Sequence, residues 1–598
     1  MIKRRDFLKY SVTAASATPL TGCSGGSVPP TEQPIASEVF TTLEHTVVPG
    51  PKPSVPLALN EVAKFKQYGY GNWTLGGPLK EVLRTDLMAP GYDESALAKK
   101  TKLLRFFTIT DIHITDKEAP NQLIYIGRMA EQFSSAAASI YSPGMMCSTH
   151  VLDAAIQTVN ALHAKNPIDF GLSLGDVCNS SQYNELRWYI DVLDGKVIHP
   201  SSGAHLGADS IDYQKPYKAV GLDKSIPWYQ TMGNHDHFYM GSFPIDNTLR
   251  PDLRASYTSD TVFATGNVLL DVKTLKDRTY YMGVINGASP DGAIIHAGKV
   301  SDTPVVPKVA PDPDRRALDR EQWIGEFFNT TSLPVGHGFT PEQIRSGFAC
   351  YSFVPKAQLP LKVIVLDNTQ REDDGSLDIH GYGFLDEQRW QWLKTELAAG
   401  DAAGQLMVIA AHVPIAVEET NPPQPLGPKE KASPMSWWVN REDNVTAQNA
   451  VTLPELVAEL HRHPNLLLWV AGHRHLNTVK PFIGDAPENG FWQVETSSLK
   501  DFPQQLRTFE IQLNNDDTVS IVATNVDPAV QEGTPAAKAR SYAIAASQIV
   551  KDAGDVETRN PSGDASIQRM PLGSYNAQLL KTLSPAMAMK MRSLFPRA

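Results

Sequence analysis

The sequence predicts an α/β fold built on buried, largely parallel strands, and three observations predict it. Residues 103–110, 168–174, 406–411 and 466–471 are short apolar runs, typical of strands covered on both faces, and a fifth run, 228–232, is aromatic and β-branched. Between the first two, Val151, Ala154, Ala155, Thr158, Val159 and Leu162 recur at helical spacing. Strand, helix, strand implies a right-handed parallel crossover. Each of the five runs also stops on residues able to bind metal, and α/β sheets hold ligands at the carboxyl ends of their strands.

The elements follow in order. The strand 103–110 ends in Asp111-Ile112-His113, two side chains that share a face. Ser148 is the expected N-cap of the helix that follows, and His150 in its first turn is structural. The strand 168–174 closes on Gly175-Asp176, and 228–232 closes on Gly233-Asn234-His235-Asp236. Residues 185–226 read as a long connection and 240–350 as insertions shaping a cleft, with a strand at Tyr280. Strands are expected at 350–354 and 360–366, and an amphipathic helix at 384–397. The strand 406–411 precedes His412-Val413-Pro414. The loop 418–449, with Trp437 and Trp438, is a lid candidate, with simple packing of the tryptophans the alternative. Thr452 and Glu455 form a capping box for another helix. The strand 466–471 runs directly into Gly472-His473-Arg474-His475. Residues 491–496, 508–513 and 519–523 read as closing antiparallel strands, the last two joined by hairpin-turn chemistry at 513–518.

Composition narrows the function. The chain has 598 residues, 42% hydrophobic and 20% charged, an ordinary globular balance. Its net charge of -11 leaves no footprint for a phosphate backbone, so nucleic acid is not an expected partner. Lys3-Arg4-Arg5-Asp6-Phe7-Leu8-Lys9 resembles a twin-arginine export signal, followed by an apolar stretch too short to span a bilayer. Leu20-Thr21-Gly22-Cys23 resembles a bacterial lipobox, with Cys23 as the lipidated residue. The expected location is the periplasm or cell envelope, anchored by that lipid. With Cys23 committed, Cys147, Cys178 and Cys350 make no disulfide framework, and Cys178 is a packing residue.

Asp111, His113, Asp176, Asn234, His412, His473 and His475 are too many ligands for one ion and suit two, if one carboxylate bridges. Oxygen and imidazole donors without thiolate point to Mn, Fe, Zn or Co. The blocks Asp-x-His, Gly-Asp, Gly-Asn-His-Asp, His and Gly-His-x-His resemble, in kind and order, those of the calcineurin-like metallophosphoesterases, over roughly residues 100–500. The resemblance implies a four-layer α/β/β/α sandwich with two mixed β-sheets, plus insertions and a C-terminal extension. It implies one metal on Asp111, His113 and His475, another on Asn234, His412 and His473, and Asp176 bridging. It also implies phosphoester hydrolysis by a metal-bridging hydroxide, with His235 near the leaving group and Asp236 orienting its ring. The segments are then an export signal (1–22), a Pro/Ser/Gly-rich tether (23–60), a catalytic domain (61–530) with insertions at 185–226, 240–350 and 418–449, and an extension (531–598).

Two features separate the chain from neighbouring groups. Asn179 stands where purple acid phosphatases carry a metal-binding tyrosine. Too little chain follows His475 for the nucleotide-binding domain of 5′-nucleotidases. A non-catalytic metal-binding surface lipoprotein or a scaffold is the alternative. His237 and Arg474, both beside ligand positions, could touch substrate or serve structure.

Overall fold

The computed structural model describes residues 29–97, 100–129, 140–245, 251–266, 277–372, 381–415, 438, 451–550 and 575–596. The export signal, Cys23 and, apart from Trp438, the lid candidate lie outside the described residues.

The strands of the two large sheets are, in chain order, β1 (Glu81–Arg84), β2 (Lys100–Ile109), β3 (Phe170–Ser173), β4 (Trp228–Gln230), β5 (Tyr351–Phe353), β6 (Leu361–Leu366) and β7 (Leu406–Ala411). They continue with β8 (Leu466–Ala471), β9 (Thr478–Phe482), β10 (Phe491–Glu495), β11 (Leu506–Asn514), β12 (Thr518–Val526) and β13 (Asn576–Thr582). A seven-stranded sheet has the order β1-β13-β12-β11-β2-β3-β4, and a six-stranded sheet the order β5-β6-β7-β8-β10-β9. Both are mixed: β2, β3 and β4 are mutually parallel, as are β6, β7, β8 and β10, while β11, β12 and β13 pair antiparallel.

The period of two in β6 and β7 separates the layers. Val363, Val365, Val408 and Ala410 point into the core shared with the other sheet. Ile364, Leu366, Met407 and Ile409 meet Leu393 and Leu397 of helix α3 (Glu387–Ala402) and Leu456 and Leu460 of α4 (Leu453–Leu460). Helices α1 (Ser148–Lys165) and α2 (Tyr183–Leu193) contribute to the core of the seven-stranded sheet. Within the seven-stranded sheet, Phe106 stacks on its cross-strand neighbours Phe170 at 5.0 Å and Phe509 at 4.8 Å, and Phe353 of the six-stranded sheet meets Phe170 edge-on. The Trp492 indole N–H donates to the Leu580 carbonyl across the same interface.

Several expectations change. Cys147, not Ser148, precedes α1, and the Ser148 hydroxyl instead accepts the Thr115 N–H at 3.1 Å. The 185–226 connection opens inside α2, whose apolar face packs on the core. β10 is parallel to β8 rather than a closing antiparallel strand, and β9, unforeseen, supplies its antiparallel neighbour. The tether expected to reach residue 60 is docked well before it: Val39, Val47 and Leu59 are buried, and the Val47 N–H donates to Asp527. β13, from the C-terminal tail, lies inside the seven-stranded sheet. No described helix is long and apolar enough to cross a membrane.

Phe106→Ala should destabilise the fold by about 3–5 kcal/mol, the range for a buried aromatic truncation. A urea titration checks this; a loss below about 1 kcal/mol would show that this stack does not support the core.

Candidate metal centre

Five parallel strands deliver the seven ligand candidates to one rim. β2 ends at Asp111 and His113, β3 at Asp176, β4 at Asn234, β7 at His412 and β8 at His473 and His475. Pairing continues past the strand ends: the Asp111 N–H donates to the Gly175 carbonyl, and the His113 N–H to that of Asp176, both at 3.0 Å. The tight turns put Asp111, His113, Asp176, His473 and His475 at φ between 47° and 75°. Left-handed backbone costs roughly 1–2 kcal/mol per non-glycine residue, so the surrounding structure must enforce it.

The side chains form two groups. His113 Nε2 and His475 Nε2 face each other at 3.1 Å, and Asp111 Oδ1 lies 3.3 Å from the latter. In the second group His412 Nε2 is 3.0 Å from Asn234 Oδ1 and 3.2 Å from His473 Nδ1. Asp176 joins them, its Oδ2 3.2 Å from His412 Nε2 and 3.8 Å from His113 Nε2. Asp111, His113 and His475 are one cluster able to hold an ion, and Asp176, His412 and His473 another. The donor set fits divalent cations of the Mn, Fe, Zn or Co type: it is oxygen and imidazole only, and Asp111 Oδ1 is buried without a hydrogen-bond donor.

Neighbouring groups aim the ligands. His412 Nδ1 is held 2.8 Å from the Leu174 carbonyl, and the Asn234 amide donates to Gly241, turning Oδ1 toward the imidazoles. His475 Nδ1 contacts Asp501 Oδ2 at 2.6 Å. Such partners orient metal-binding rings and raise their basicity. Two glycines leave room for the carboxylates: a Cβ at Gly233 would lie 2.2 Å from Asp176 Oδ1, and one at Gly472 2.5 Å from Asp111 Oδ2.

Asp236 does not orient His235, contrary to expectation. Its Oδ2 accepts the Asp176 and Gly233 N–H groups at 2.9 and 2.8 Å, and its Oδ1 those of Val177 and Cys178 at 2.9 and 3.2 Å. The His235 ring is held instead by the Asn179 carbonyl, 2.6 Å from Nδ1. Both ring nitrogens of His237 are engaged, on Glu372 and Thr369. Arg474 is locked on both oxygens of Glu495. His150 is a buried structural ring stacked on Tyr217. Cys178 is buried in the core, and burial pushes its thiol well up. Trp438 packs in the core of the six-stranded sheet, as the packing alternative for this tryptophan has it.

Asp501, the Asn179 carbonyl and Glu185 were missed. Glu185, fully buried in α2, accepts the Asp116, Asn179 and Ser180 N–H groups and so staples the loops after β2 and β3. A backbone carbonyl leaves no trace in sequence. Asp501 did leave one, since it follows β10, but only a parallel β10 brings that end to the rim.

No family model and no curated protein matches the sequence. Among solved structures the chain is similar to a dimetal phosphatase from Danio rerio, over 72% of this chain and 100% of that one, with 12% identity and a TM-score of 0.31. What stands on the geometry is a mixed α/β chain with two large sheets and paired His/Asp clusters able to bind metal.

Asp236→Asn should lower metal content and cost about 2–3 kcal/mol, because an amide N–H₂ would face two N–H donors. Metal analysis with thermal melts checks it; full metal content and unchanged melting would leave the carboxylate no clamping role. A second expectation concerns protons. Burial opposes it, but Asp111 and Asp501 raise the pKa of His475 to about 9, and Asp176 with Asp111 does the same for His412. In chelator-stripped protein at pH 7 both rings therefore carry a proton that metal must displace. Metal affinity should rise from pH 6 to 9, with proton release measurable by calorimetry in buffers of different ionisation enthalpy. Buffer-independent heats would contradict it.

Proposed function

We propose that the protein is an exported, lipid-anchored hydrolase of phosphoester bonds that works with two divalent metal ions. The observation carrying this reading is Asp176 Oδ2, within 3.2 Å of one imidazole group and 3.8 Å of the other, a carboxylate set to serve two ions at once. Asp111, His113 and His475 would hold one ion, and Asn234, His412 and His473 the other. A metal pair supplies charge neutralisation of the phosphoryl group and acidifies water for attack. The export motif at residues 3–20 and Cys23 support placement in the cell envelope.

The chain's own residues handle the leaving group. The His235 ring meets that of His113 edge-on at 4.4 Å, and its Nδ1 proton is committed to Asn179. The departing oxygen would meet Nε2, as a hydrogen-bond partner or, were the ring charged, as the proton donor; burial lowers the ring's pKa and so disfavours the charged form, although Asp176 and the Asn179 carbonyl favour the proton. The Asp176 carboxylate accepts the His235 backbone N–H at 2.8 Å, fixing the residue beside that carboxylate.

His235→Ala should keep both metals, hydrolyse activated aryl esters, and lose roughly 10²–10⁴-fold on alkyl esters. Unchanged alkyl-ester turnover would remove His235 from the leaving-group side. Metal-replete wild-type protein inactive on every phosphoester tried would favour a binding protein.

A further inference from the structure

A turn just beyond Asp236 folds back against His235 and Asn234. Phe238–Tyr239 and Phe243–Pro244 pair antiparallel, and the turn between them holds Met240 and Gly241 at φ 48° and 67°. The loop after β3 grips this turn. Ser180 Oγ accepts the Met240 N–H at 3.1 Å, and the Tyr257 hydroxyl donates to the Ser180 carbonyl at 2.8 Å. Asn179, the preceding residue of the same loop, holds His235 Nδ1. One loop therefore fixes both the ring and the turn beside it.

Gly241 is buried, and a Cβ on it would lie 2.1 Å from His235 Cδ2, 2.3 Å from Nε2 and 2.6 Å from Asn234 Nδ2. Neither neighbour can give way without loss. Moving the ring breaks its 2.6 Å contact with the Asn179 carbonyl. Moving the amide breaks its 2.9 Å bond to the Gly241 carbonyl and swings Oδ1 away from His412 Nε2 and His473 Nδ1, at 3.0 and 3.2 Å. The Cδ2–Nε2 edge that a methyl would strike is also the edge a departing oxygen would meet.

Resting on the phosphoesterase reading, we propose that Gly241 is the positioning residue of the leaving-group side. Its bare α-carbon seats the His235 ring, and its carbonyl turns Asn234 toward the imidazoles of His412 and His473. One residue thus registers the leaving-group histidine against a metal ligand.

The test is a double-mutant cycle in full-length, metal-loaded protein. Gly533→Ala measures left-handed strain alone, since Gly533 lies at φ 85° with nothing within 4 Å of an added methyl. Gly241→Ala should lower the melting temperature further than Gly533→Ala does. In a His235→Ala background, where the ring is gone, the same Gly241→Ala change should lower it markedly less. On alkyl phosphoesters Gly241→Ala should lose about 10²-fold, the effect of a ~1 Å misplacement, and it should lose less on activated aryl esters. In the His235→Ala background it should add little to the alkyl-ester loss. Equal melting losses for Gly241→Ala and Gly533→Ala, or the same loss with and without the His235 ring, overturn the assignment. A Gly241→Ala chain that does not fold is judged by the double variant: folding restored by removing the ring supports the assignment, and no restoration overturns it. Wild-type protein that hydrolyses no phosphoester overturns that reading instead, and the melting cycle still judges Gly241.

Discussion

One buried carboxylate holds the centre together. Asp236 collects the N–H groups of Gly233, Asp176, Val177 and Cys178, which no other group in the turn accepts. An unmade hydrogen bond in the interior costs about 1–3 kcal/mol, so four of them leave the turn one low-energy shape. That shape fixes Asp176 at φ 53° and aims its carboxylate between the imidazole groups. Glu185 repeats the device one layer back, joining the loops after β2 and β3.

These clamps resolve an apparent conflict. Asp111 and Asp176 are carboxylates in the interior, where burial alone raises the pKa. Both are instead held below the usual range against burial, Asp111 chiefly by His475 and Asp176 chiefly by His412. The glycines at 233 and 472 belong to the same economy of space, since a methyl group at either would occupy the position of a carboxylate oxygen. Strained backbone, absent side chains and paired charges converge on the same few cubic ångströms, as expected of a site built for ligands rather than for stability.

What was legible in the sequence follows from what period and spacing encode. Buried parallel strands announce themselves as unbroken apolar runs, so β2, β3, β7 and β8 were visible, and with them six of the seven ligand candidates; Asn234 follows the aromatic run of β4. β10 was misread because Phe491-Trp-Gln-Val-Glu alternates like an antiparallel strand, and strand direction is set by the partner. That error hid Asp501. The role of Asp236 was misassigned for a related reason: adjacency to His235 looks like a dyad, whereas the short 3₁₀ turn at Asn234–Asp236 turns the carboxylate back onto the strand ends. β1 escaped because its partner β13 lies nearly 500 positions away along the chain.

The division of donors between the sheets has a consequence for stability. The seven-stranded sheet supplies both carboxylates, the amide and His113; the six-stranded sheet supplies His412, His473 and His475. Each candidate ion would therefore draw on ligands from both sheets. Elsewhere the sheets meet largely through nondirectional packing, as where Phe353 lies edge-on to Phe170, which resists separation but tolerates small slides. Ligand bonds tolerate much less, so were ions bound, their binding and sheet registry would be one equilibrium: a slide that breaks the cradle would weaken binding, and binding would oppose the slide. The same logic explains why Ser498 and Leu499, on the six-stranded side, bond to the Asp111 and Thr110 carbonyls of the other sheet. They tie the two sheets together beside the cluster, so that the cradle of His and Asp side chains is held in one registry.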